Sequence, residues 1–347
     1  MTTVARARRL AMLIGSAGAW LTAAPLVAAH GSTPTGPPTL ASLLLGWTFE
    51  PVPTLGVVVA AGCWWWAVRR VNAAHPGNRV PARRSVAFGL GLAAIALALL
   101  SGIDRYDTTL FSIHMVQHVL LTMVAAPLIA MSAPITLLLR VAAPSTRRRW
   151  ILPVLHSRAV RILAFPVVAW IAFAAVMWAS HFSPLFDAAL EDPLMHDLEH
   201  VLFLGSALLF WWPVAALDPA PWRMAHPVRA LYTFLQLPQN TFLAVVILGA
   251  TTVLYPHYAT TGRTWGPSPL EDQQLAAGIM WITGDVVFIL GIIAILYGWM
   301  RAEARDAGRE DRRADLERDV IRVREGRLAA RIARERDDPQ EGSGAAR

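Results

Sequence analysis

Four of the ten histidines in this chain form two pairs of identical spacing, His114-Met-Val-Gln-His118 and His196-Asp-Leu-Glu-His200. Residues four apart on a helix share a face one turn apart, so each pair can bring two imidazoles to one ion. Neutral imidazole suits zinc, copper, iron and nickel. Glu199, between His196 and His200, adds a carboxylate able to ligate, to orient an imidazole or to act as a base. His181 ends an apolar run shortly before the second pair. The candidate metal ligands are therefore His114, His118, His181, His196, Glu199 and His200. A single histidine near a helix end more often anchors at an interface or meets a local polar need. The rest of the chain decides between these readings by where it puts the set.

Those histidines sit at the ends of long apolar runs. Of 347 residues, 55% are hydrophobic and 16% charged, whereas a soluble domain carries nearer a quarter charged residues. The runs approach or exceed the roughly 20 residues a helix needs to cross the hydrocarbon core. Only helices or closed barrels satisfy their backbone in lipid, and runs this long are not barrel strands. The sequence predicts an all-α polytopic membrane protein with about seven spans, near Thr54–Val71, Ser85–Ile103, Phe111–Leu139, Ile162–Ser180, His196–Leu217, Ala230–Leu254 and Leu275–Met300. Residues 1–29 have a basic start, an apolar stretch and small residues before His30, the pattern of a cleavable signal peptide, with an N-terminal membrane helix as the alternative. A linker (30–53), the membrane domain (54–300) and a charged tail (301–347) follow.

Orientation comes from arginine, because the net charge of +7 is carried without a single lysine. Segments 69–84, 140–161 and 218–229 and the tail are rich in Arg, and the four intervening segments hold few. Strict alternation places the N-terminus outside and the C-terminus in the cytoplasm. Arginines confined to short loops beside spans also argue against a nucleic-acid partner. Trp64, Trp65, Trp66, Trp211, Trp212 and Trp299 then fall at the inner interface, where indoles serve as anchors. The candidate ligands all fall at the outer rim, together with Asp272, Gln273 and Gln274, while His75, His156 and His226 fall among the inner arginines. Two pairs at one depth, with His181 and Glu199 beside them, favour a metal or haem site over a purely structural polar cluster. Cys63, the only cysteine, excludes an intrachain disulfide or a Cys-rich metal site.

Three further features lie apart from the candidate set. Gln236-Leu-Pro238-Gln239-Asn240 interrupts the sixth span and reads as a kink whose freed groups bond to neighbouring helices, or as a polar pathway. Asp285 near the middle of the seventh span is either functional or a carboxyl hydrogen-bonded to Thr283 or a facing amide. If the leader is cleaved after Ala29, His30 becomes an N-terminal chelator through its amine and ring nitrogen.

Leu110-Phe-Ser-Ile-His-Met-Val-Gln-His118, His181-Phe-Ser-Pro-Leu-Phe-Asp-Ala-Ala-Leu190, His196-Asp-Leu-Glu-His200 with Leu209-Phe-Trp-Trp-Pro213, and Glu271-Asp-Gln-Gln-Leu275 with Ile279-Met-Trp281 occur in this order. In this combination the chain resembles the bacterial cytochrome c oxidase assembly factor CtaG family of multi-span membrane proteins, over about Leu55 to Met300. One departure is Gly102 before Ile103-Asp104, where the family pattern has Pro. The resemblance implies a bacterial plasma-membrane protein that helps mature a haem–copper cytochrome c oxidase. Its partners would be oxidase subunits and the lipid bilayer, and its cargo copper. It brings no ligand assignment, so the candidate set rests on topology and spacing.

Two other functions fit the same residues. His196-x-x-Glu199-His200 matches the inverzincin pattern, in which two histidines bind zinc and the glutamate is the base; His181 or His114 would be the third ligand of an intramembrane hydrolase. Imidazoles on facing spans can instead hold a bis-His haem for electron transfer. A set without thiolate or clustered thioether leaves Cu(II), zinc and haem iron open.

Overall fold

The computed structural model describes residues 34–183 and 185–337. The expected signal peptide, His30 and Arg347 lie outside the described residues. Regular structure among the described residues is entirely helical. A short helix, α1 (Leu40–Leu45), falls within the segment read as a linker. It precedes α2 (Pro51–Ala74), α3 (Ala82–Tyr106), α4 (Phe111–Val141), α5 (Pro166–His181), α6 (Leu185–Glu191), α7 (Pro193–Ala215), α8 (His226–Leu248), α9 (Pro256–Thr260) and α10 (Pro269–Asp337). Among the described residues six helices are long and apolar enough to cross a membrane; α5 and α6, bent by 68° to one another, make a seventh if they count as one broken span. The all-α, roughly seven-span reading stands.

Proline sets most of the starts. It occupies the first turn of α2, α5, α7 and α9, where its missing N–H costs nothing and its fixed φ favours the helix. This moves two boundaries from their expected places. α5 begins at Pro166 rather than Ile162, and α7 at Pro193 rather than His196, with Asp192 Oδ1 accepting from Leu194 N at 2.8 Å as its cap. His196 therefore lies one turn inside α7.

The chain divides into one unit up to Gly291 and another from Ile292. In the first, helices approach through small residues, as membrane helices do. Gly91 of α3 faces Ile129 and the Ala125 carbonyl of α4, and Ala98, Ala126, Ala207 and Ala276 are wholly buried. Large apolar side chains such as Leu90, Phe242 and Ile282 point outward, the arrangement expected where the solvent is lipid. In the second unit α10 carries exposed Arg–Asp pairs three apart, at 3.0 Å for Arg318–Asp315 and Arg322–Asp319; such pairs contribute little.

Tryptophans divide between two roles. Trp65 and Trp66 are exposed, as anchors should be, and Arg69 lies over the Trp65 ring. Trp211 is buried and donates to the Thr122 carbonyl at 3.0 Å, so it ties α7 to α4.

Candidate metal centre

α4 carries the first histidine pair, and its N-terminus is fixed from a distant part of the chain. Its N-cap, Leu110, has no side chain to offer. Asp272 of α10 takes that role: Oδ2 accepts from Phe111 N at 2.7 Å, and Oδ1 accepts from the Ser112 hydroxyl. A carboxylate at this end also suits the helix dipole. Just past His118 the helix widens into a π-helical turn, Leu120–Ala125, a local irregularity often found at functional sites. Thr122 Oγ1 donates to the His118 carbonyl at 2.7 Å, which holds the junction.

α7 brings the second pair against the first. Ring centroids are 4.2 Å apart for His114–His118, 5.4 Å for His114–His196, 4.3 Å for His196–His200 and 6.2 Å for His118–His200. The four imidazoles thus form a closed quadrilateral spanning α4 and α7. All four are buried, His114 completely. Phe203 stacks on His118 at 4.0 Å and Phe186 lies 5.0 Å from His114, forming an apolar wall.

Carboxylates stand on two sides of this quadrilateral. Glu199 Oε2 lies 3.7 Å from His114 Nε2 and 3.8 Å from His118 Nε2. Asp107, in the turn between α3 and α4, places Oδ2 at 3.7 Å from His196 Nε2. These spacings are too long for hydrogen bonds. They do suit two ligands of one ion, because donors each about 2.0–2.2 Å from a metal lie at most about 4.4 Å apart. Among the described residues two groups of three offer one ligand atom each within 4.8 Å of one another: His114, His118 and Glu199, and Asp107, His114 and His196.

The polar atoms themselves bear on whether a metal fits. Both ring nitrogens of His114 and of His118, and both carboxylate oxygens of Glu199, are buried with no hydrogen-bond partner among the described residues. Leaving one buried donor or acceptor unsatisfied costs roughly 1–3 kcal/mol, so six in one cluster is an unusual concentration. A bound cation would satisfy nitrogen lone pairs and carboxylate together. Burial, with Asp104 as the next contributor, also pushes the Asp107 carboxyl well above the usual carboxylate range. A neighbouring cation would oppose that shift.

The remaining expected residues divide. His200 joins the quadrilateral, and its Nε2 meets Gln117 Oε1 at 3.0 Å; the Gln117 amide donates to the Ala98 carbonyl at 3.0 Å. His181 stands apart from both groups of three: its Nδ1 meets the Met177 carbonyl at 2.7 Å, and its ring neighbours are Phe186 and Phe203. Asp272 is a helix cap, and Gln273 accepts from Leu254 N at 2.7 Å. His257 meets the Thr108 carbonyl at 2.9 Å. Asp107 and Gln117 carried no role in the sequence reading. Asp107 was visible as an acid in the short turn before the first pair, and Gln117 lies between its two histidines.

A crevice of about 280 Å³ between α5, α6 and α7, lined by Ala175, Ala179, Leu198, Leu202 and Phe203, reaches Glu199 from the side. At the neighbouring rim, Gly102 admits α1: a Cβ there would collide with the Ser42 carbonyl and come within 2.9 Å of Leu43 Cα. The proline expected here from the resemblance would meet the same obstruction.

Known proteins resemble this chain over most of its length. Uncharacterized proteins Mb0105 of Mycobacterium bovis and MT0111 of Mycobacterium tuberculosis are each 33% identical over 287 residues, and ML1998 of Mycobacterium leprae is 28% identical. The match covers 80% of this chain but 43% of each relative, so the chain spans less than half the length of the curated relatives it matches. No solved structure matches. The family model for the cytochrome c oxidase caa3 assembly factor matches residues 62–302, from α2 into α10 and across every residue of the histidine quadrilateral. This chain belongs to the cytochrome c oxidase caa3 assembly factor (Caa3_CtaG) family.

Proposed function

We propose that this protein serves the assembly of a haem–copper cytochrome c oxidase as a non-enzymatic carrier, holding copper as cargo among His114, His118, Glu199, His196 and His200. The observation that carries this reading is the buried concentration of nitrogen and carboxylate oxygen with no hydrogen-bond partner at His114, His118 and Glu199. Among divalent first-row ions such a nitrogen–oxygen set holds Cu(II) most tightly, and no thiolate or thioether is needed. Each residue has a distinct task. His114 and His118 present neutral imidazoles from one helix face, Glu199 supplies the negative charge from the facing helix, and Gln117 orients His200. The apolar wall of Phe186 and Phe203 limits exchange with water.

The hydrolase reading is less well supported. Its motif requires Glu199 to serve a metal held by His196 and His200, yet Glu199 approaches His114 and His118 across the helix interface. A bis-His haem would draw its imidazoles from facing spans, and there a carboxylate oxygen already lies 3.7–3.8 Å from Nε2 of His114, His118 and His196, in space the macrocycle would need.

We place the centre at the outer face of the bacterial plasma membrane, the N-terminus outside and the C-terminus in the cytoplasm, on the arginine alternation. A reporter fused after Arg347 that is active only outside the cell would overturn that orientation. The metal reading is tested on the purified full-length chain with its affinity tag removed. Copper should be retained by the wild type and lost from the His114→Ala/His118→Ala variant, with oxidase activity lost in cells at matched protein level. Equal metal content in the two proteins, or a Soret band from bound haem, would overturn it.

A further inference from the structure

The second group of three leaves a question that one ion does not answer. Asp107, His114 and His196 gather on one side of the quadrilateral, and His114, His118 and Glu199 on the other. The two groups share only His114, and each has its own carboxylate. Asp107 and His114 are wholly buried, and Asp107 is held in place through its backbone, whose carbonyl accepts from the Tyr258 hydroxyl at 2.8 Å. Tyr258 is itself buried on α9, so the turn carrying Asp107 is clamped against the site.

A single tetrahedral or square ion cannot use both carboxylates and all four histidines, because it has only four positions to offer them. Yet each half offers an acid and imidazole nitrogen, the composition found around paired metal ions. His114 can serve both halves because neither of its ring nitrogens has a hydrogen-bond partner.

We infer that the centre binds two metal ions, one on His118 and Glu199 and a second on Asp107 and His196, with the His114 ring between them giving one nitrogen to each. This rests on the metal-centre reading above and extends it to a second site, with Asp107 as a ligand. Charge and atoms balance simply. As the second cation binds, the Asp107 carboxyl proton and the His114 N–H proton both go to solvent, leaving a carboxylate and an imidazolate, and no electron is transferred. Each ion then has three protein ligands and an open position through which an acceptor can take it.

The test uses the metal alone. Tag-free full-length protein in detergent is stripped with a chelator, titrated with Cu(II), and dialysed against a weak competing chelator to remove surface-bound ions. Bound copper is counted, and the electron paramagnetic resonance spectrum is recorded. Two coppers per chain with a spin-coupled spectrum are expected. Asp107→Asn and Glu199→Gln should each retain one copper and show an isolated Cu(II) signal, and His114→Ala should abolish the coupling. One copper per chain with an isolated spectrum in the wild type overturns the second site and leaves the first reading standing. No retained copper overturns both. The wild-type spectrum decides the matter even if Asp107→Asn fails to fold.

Discussion

Two buried or half-buried carboxylates on membrane helices have opposite surroundings here. Asp285 of α10 accepts hydrogen bonds from Asn240 Nδ2 at 3.1 Å, Thr241 Oγ1 at 2.9 Å and Trp281 Nε1 at 3.0 Å. Glu199 of α7 accepts none, and its nearest polar neighbours are imidazoles 3.7–3.8 Å away. Both are ionisable groups in spanning helices, which by default suggests function. The difference separates them. Asp285 is the centre of a finished network that joins α8 to α10 through Asn240 and Thr241, so these polar residues have a structural task. Glu199 belongs to a set that lacks the partner its chemistry calls for.

That contrast can be broken most severely at the histidines. His114→Ala/His118→Ala should cut copper retention by more than about tenfold while leaving helicity and detergent stability unchanged. Metal analysis beside circular dichroism reads both, and a variant that keeps its copper would erase the contrast. Asp285→Ala should do the reverse. It strands three donors and should lower stability by about 2–3 kcal/mol without changing copper content at saturating metal, read from unfolding in mixed detergent. A smaller effect is expected at Gly284, where a Cβ would lie 2.6 Å from Asn240 Nδ2. Gly284→Ala should push that amide off Asp285 and cost about 1–2 kcal/mol. If it is neutral, the Asn240 bond contributes little. The smallest effect belongs to His75→Ala, His156→Ala and His226→Ala, which should stay within about 0.5 kcal/mol of wild type and keep full copper content. Loss of copper in any of the three would show that histidine count, rather than the quadrilateral, governs binding.

The sequence made the convergence of α4 and α7 legible, because spacing and arginine alternation together put both pairs at one depth. It also located the start of α4 at Phe111, and a facing amide, Asn240, is indeed among the partners of Asp285. Other features left no usable local signal. The π-helical turn after His118 lies in Leu-Leu-Thr-Met-Val-Ala, which holds no Gly or Pro to mark it, and it meets Trp211 through the Thr122 carbonyl. Trp211 itself read as an anchor, because a tryptophan near a helix end looks alike from sequence whether it faces lipid or a neighbour. Asp107 is a lone acid in a short outer turn with no spacing to link it to a histidine, and α9 holds that turn where the carboxylate approaches His196. Ala133, ahead of Pro134, has φ of 58°; the proline disfavours the right-handed helical region there, but the left-handed conformation of an alanine has no local sequence signal.

The Asp272 cap also has a consequence for timing. The carboxylate that organises the first turn of α4 lies 161 residues further along the chain than Phe111, and the hydroxyl that clamps the Asp107 turn lies 151 residues further along than Asp107. Neither contact can form while the ribosome is still making the intervening helices. A half-made chain therefore has both histidine pairs in the membrane but not their final register. The first turn of α4 is completed only when the last span arrives, so the proposed centre reaches its final register late in synthesis.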